Sequence, residues 1–168
     1  MNTINRKNFI LNSVSSAAGI ILLPGIFNNR QQSLLQHKPA ADPELVKQFV
    51  GVAHRDVEKA KFMLQETPDL LNSVHNLGGW DWEDAIGAAG HVGIPELASY
   101  LLDKGARPTI CVAAMLGKTD VVKAYITAFP QMKYAVGPHK ISLVRHAKAG
   151  GENAKEVLEY LRSIGAKE

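Results

Sequence analysis

Six histidines and one cysteine are the residues of this chain most able to ligate a metal or act as nucleophiles: His37, His54, His75, His91, His139, His146 and Cys111. Two imidazoles at i, i+4 on one helix would present both rings to a single ion. No two of these histidines have that spacing. No Gly-x-Ser-x-Gly elbow, Walker-type phosphate loop or His-Glu-x-x-His motif occurs either. Cys111 lies between Ile110 and Val112 and reads as a small buried thiol, with no neighbouring base to lower its pKa. His54 and His91 fall in similar places, near the ends of the helices expected around them. There an imidazole can bond free carbonyls and suit the helix dipole. A shared metal or ligand site along one groove is the alternative. The expectation is a protein with no catalytic residue, no metal and no cofactor.

Recognition chemistry is better represented. Both tryptophans of the chain sit two residues apart in Asn76-Leu-Gly-Gly-Trp80-Asp81-Trp82-Glu-Asp84, with three carboxylates beside them. An exposed tryptophan is a strong anchor for a protein partner. Trp80 is the better candidate for exposure, and Trp82 is expected to plug a gap in the packing. Trp80, Asp81, Trp82, His91 and Met115 are the candidate partner contacts, with Lys118, Lys140 and Arg145 as a basic patch.

The elements that must position these residues follow one pattern: a short helix, a tight turn and a longer amphipathic helix. It is clearest in Asp84–Pro108 and in Thr109–Thr127, and it returns from Leu45 to Leu64 and from Ile141 to Leu161. Leu97, Tyr100 and Leu101 recur at helical spacing, as do Val121, Val122, Tyr125 and Ile126. Asp42 suits a helix cap and Pro43 a first turn. A lone helix pair buries too little apolar surface, whereas a stack of four makes a continuous core.

These segments resemble ankyrin repeats. Gly93 and Gly117 fall at that family's turn between first and second helix, Gly105-Ala106-Arg107-Pro108 matches its Gly-Ala-Asp-Pro exit apart from the arginine, and Ala88-Ala89 and Ala113-Ala114 lie at or beside its small-residue pair. The family's Thr-Pro-Leu-His opening is absent. The turn positions Arg55, Gly93, Gly117 and Gly150 are spaced 38, 24 and 33, against a family period of about 33. The step of 24 leaves no room for a finger hairpin, and the step of 38 requires a long connection, which holds the tryptophans. Tetratricopeptide pairs are the alternative, but their helices are longer and lack the Gly-Ala exit. The resemblance implies an all-α ankyrin-type solenoid of about four helix-turn-helix repeats over residues 42–168.

Residues 1–27 read as a signal segment. Arg6 and Lys7 precede an apolar stretch ending at Phe27, and Asn5-Arg6-Lys7-Asn8-Phe9-Ile10 resembles a twin-arginine translocation signal with lysine at the second position. The general secretory route and an uncleaved membrane anchor are the alternatives. Residues 28–41 are polar and read as a linker.

The chain has 168 residues, of which 46% are hydrophobic and 21% charged, which excludes a collagen-like or multi-span membrane protein. One cysteine excludes an intramolecular disulfide framework. The net charge of +3 comes from the first 41 residues, which hold four bases and no acid. Beyond them, residues 42–103 carry 11 acids and 4 bases, and residues 104–150 carry 8 bases and 1 acid. Such segregation favours an anionic partner on the second half, or self-association. With few aromatics among the bases, nucleic acid is not an expected partner. The expectation is an exported, periplasmic, monomeric, non-catalytic protein-binding module whose partner is another protein. An inhibitor or immunity-type partner of a co-encoded exported enzyme is the alternative, and an enzyme or metal-binding protein a third.

Overall fold

The computed structural model describes residues 40–168. The signal segment expected over 1–27, and the linker except for its last two residues, lie outside them. Eight α-helices follow in four consecutive pairs: α1 (Pro43–Ala53) with α2 (Val57–Glu66), α3 (Ala85–Val92) with α4 (Pro95–Asp103), α5 (Ile110–Met115) with α6 (Thr119–Ala128), and α7 (Leu143–Ala149) with α8 (Lys155–Ser163). A two-stranded antiparallel hairpin, β1 (Val74–Gly78) and β2 (Asp81–Asp84), fills the long connection between the first two pairs. The domain is thus mostly helical, and this hairpin is the departure from an all-α chain. None of the described helices is long and apolar enough to cross a membrane.

Local signals set the helix ends. The Asp42 carboxylate accepts from the amides of Glu44 and Leu45 at 2.8 and 3.2 Å, ahead of Pro43. Asp56, Asp84, Thr109 and Ser142 cap α2, α3, α5 and α7 in the same manner. Gly93 and Gly117 take φ of 79° and 69° just past α3 and α5, a conformation glycine adopts with little strain. Both also lie where chain meets chain. A Cβ on Gly93 would overlap the Ala149 carbonyl oxygen, and one on Gly117 that of Asn153.

The two helices of each pair pack on each other, and the first helices also pack on their successors: α1 on α3, α3 on α5, and α5 on α7. In addition α7 packs on α3, so the pairs do not form a straight row. The physical reason lies in small residues: α5 is six residues long, and Gly90 and Gly93 present no side chain to their neighbours. Phe49, Ile86, Leu97, Leu101 and Met115 lie in one buried cluster, while Val122, Leu143, Val157 and Leu161 lie in another. Val121 and Tyr125, grouped with the core by their spacing, are exposed at 54% and 42%, and Thr119, Val122 and Ile126 carry the buried face of α6.

Candidate functional site

Four side chains from separate parts of the chain converge beside β2. His54 caps α1, Glu83 lies on β2, His91 is in the last turn of α3, and His139 lies in the 3-10 turn Pro138–Lys140. One donor atom from each lies within 4.8 Å of all the others. His91 Nε2 is 2.8 Å from Glu83 Oε1 and 3.2 Å from His54 Nε2. His54 Nε2 is 3.3 Å from Glu83 Oε1, and His139 Nε2 is 3.4 Å from Glu83 Oε2.

Strand alternation explains the position of Glu83. Neighbouring residues on a strand point to opposite faces, so Trp82 faces outward, 53% exposed, while Glu83 is 2% exposed. Burial on its own would raise the Glu83 carboxyl. The bond from His91 and the charges of His54, His139 and His91 outweigh it and hold the group below the usual glutamate range.

Groups outside the cluster lie against two of the three rings. His54 Nδ1 donates to the Val50 carbonyl at 2.8 Å. His139 has its amide 3.1 Å from both Asp81 carboxylate oxygens, and its Nδ1 is 4.0 Å from one of them. His139 and Lys140 hold φ of 58° and 57°, a left-handed conformation costly for residues with a Cβ. Such strain persists only where the surrounding structure enforces it, and it concentrates at functional sites. Sequence reasoning missed Glu83 and His139. The resembling positions of His54 and His91 were the one available signal, because the other two donors arrive through the hairpin and the return of the chain toward α3.

His146, on α7, stays outside the cluster, its ring 6.4 Å from that of His91. Its Nδ1 donates to the Ser142 carbonyl at 2.9 Å, while its buried Nε2 has no hydrogen-bond partner. Burial lowers its pKa. His146 lines a cavity of about 400 Å³ together with Trp82, Asp84, Cys111, Val136 and Pro138. Burial pushes the Cys111 thiol up to about 11. The thiolate share at pH 8 then falls at least about 100-fold below that of an exposed cysteine. Native protein is expected to react with a thiol reagent at pH 8 that much more slowly than urea-unfolded protein, and equal rates would contradict a buried thiol.

The expected partner contacts divide. Trp80 is 95% exposed at the hairpin tip, where Gly79 and Trp80 both take positive φ. Trp80, Asp81, Trp82 and Lys140 line one open groove of about 300 Å³. Trp82, expected to plug a gap in the packing, is half-exposed and lines both this groove and the cavity beside His146. Asp81 is bonded to the His139 amide, and His91 is turned into the histidine cluster. Met115 is fully buried and is not a surface contact: α5 is buried along its length from Cys111 to Met115. Lys118 and Arg145 are exposed, but neither lines the groove that holds Lys140, so the three bases do not share it.

The described residues thus define a mostly helical domain with one hairpin, a three-histidine carboxylate cluster behind that hairpin and an exposed tryptophan at its tip. No family model and no curated protein matches the chain.

Proposed function

We propose that the chain is an exported, non-catalytic protein-binding module built as a curled ankyrin-type stack of four helix pairs over residues 42–168. The tip of the hairpin is its recognition element, and its partner is another protein. The observation that carries the reading is Trp80: one of the two largest side chains of the domain is 95% exposed and held in a left-handed backbone conformation. Folding gains nothing from exposing an indole on strained backbone, whereas an interface gains an anchor that is already placed. The adjoining groove, with Trp82, Asp81 and Lys140, adds apolar and charged contacts around that anchor. Support for the stack comes from the contacts of each helix pair with the next and from the glycines at the turns. Export rests on the basic and apolar pattern of residues 1–27.

Affinity capture from a periplasmic extract, with the full chain as bait, tests the reading. A specific protein retained by wild type and reduced at least tenfold by Trp80→Ala is the expected result. Equal retention by Trp80→Ala and by Trp82→Ala would overturn the assignment of the hairpin tip.

A further inference from the structure

We infer that His54, Glu83, His91 and His139 form a binding site for one divalent transition-metal ion of the zinc class. The proposal is independent of the partner-binding role of Trp80.

Hydrogen counting carries the argument first. His54 Nδ1 faces a carbonyl oxygen, which can only accept, so this nitrogen carries the ring hydrogen of the neutral imidazole. The Nε2 of His54 then presents a lone pair. It faces the Glu83 carboxylate at 3.3 Å and His91 Nε2 at 3.2 Å. A hydrogen on His91 Nε2 can serve Glu83 Oε1 at 2.8 Å, but the same hydrogen does not also fill the gap between His54 and Glu83. With neutral imidazoles, lone pairs face one another at contact distance. Protonation of His54 Nε2 relieves this conflict at one nitrogen, whereas a metal cation among the four side chains relieves it throughout by accepting a lone pair from each of them.

Geometry agrees. Bonds of about 2.0–2.1 Å in a tetrahedral zinc site separate the ligand atoms by about 3.3 Å. The separations among His54, His91 and Glu83 are 3.2, 3.3 and 2.8 Å. His139 completes the set from the solvent side, with a side chain 42% exposed and room to adjust. Three imidazoles and a carboxylate suit zinc and its neighbours better than magnesium or calcium, which favour all-oxygen shells. The second contacts are of the kind metal-binding histidines use: a backbone carbonyl behind His54 and a carboxylate beside His139.

A bound ion would tie the end of α1, the hairpin, the end of α3 and the 138–140 turn, elements otherwise joined there by hydrogen bonds. The test is calorimetric titration of untagged, chelator-stripped full-length protein with zinc chloride. The expected result is one ion per chain with a dissociation constant below about 1 µM, in the range of protein sites built from several imidazoles. His91→Ala and His139→Ala are each expected to weaken binding at least 100-fold, while His75→Ala, on the hairpin but outside the cluster, leaves it unchanged. His139 is partly exposed, so its variant should keep the wild-type circular dichroism even if His91→Ala does not fold. Cobalt(II) loading should give the intense visible bands of a four- or five-coordinate ion, lost in His139→Ala. Failure to saturate, or equal zinc affinity in folded His139→Ala and wild type, would overturn the proposal.

Discussion

Replacing Gly117 with alanine is expected to destabilise the domain by about 2–4 kcal/mol. A left-handed alanine costs about 1 kcal/mol, and forcing a methyl into packed structure adds about 1–3 kcal/mol. The methyl at this position would overlap the carbonyl oxygen of Asn153, a backbone atom that no rotamer change can move aside. Gly165→Ala provides the control: its φ is 72°, but nothing lies within 4 Å of the added carbon. Urea denaturation followed by circular dichroism should show a small loss for Gly165→Ala and a loss at least twice as large for Gly117→Ala. Equal losses would mean that the approach between the end of α5 and the Gly151–Ala154 turn is not close.

Truncating Phe49 to alanine is expected to cost about 3–5 kcal/mol, the range for a buried phenylalanine whose cavity does not collapse. Phe49 is fully buried on α1, which packs against α2, α3 and β1. Loosening α1 also loosens the seat of the hairpin, so the loss should reach beyond one helix. The expected reading is a lower urea midpoint with an unchanged slope, as for a domain that unfolds as one unit. A reduced slope with a surviving native baseline would show instead that the first helix pair melts alone.

Much of the helical framework was legible in the chain because the signals are local. Asp42 and Pro43, the glycines past α3 and α5, and the spacing of Leu97 and Leu101 depend on residues within a few positions of one another. Failures occurred where the third dimension decides. Val121 and Val122 have the same hydrophobicity, yet only Val122 faces inward. Met115 is a candidate partner contact by sequence, but the short helix that carries it is buried from Cys111 onward. The cluster was harder still. Glu83 looked like one carboxylate among three beside the tryptophans, and strand alternation alone turned it inward. His139 had no helical partner in sequence and reaches the cluster by packing of the 138–140 turn on β2. Spacing rules for metal ligands assume donors on one element, and these four come from four.

The two indoles at the tip determine how the protein will behave as a fluorophore. One is almost fully solvated and the other half so, and no other tryptophan exists in the chain. Emission from the native state should already lie near the wavelength of free indole in water, so denaturation will shift it little. The same signal should move to the blue when a ligand covers the tip, which makes intrinsic emission a poor gauge of unfolding but a direct gauge of occupancy.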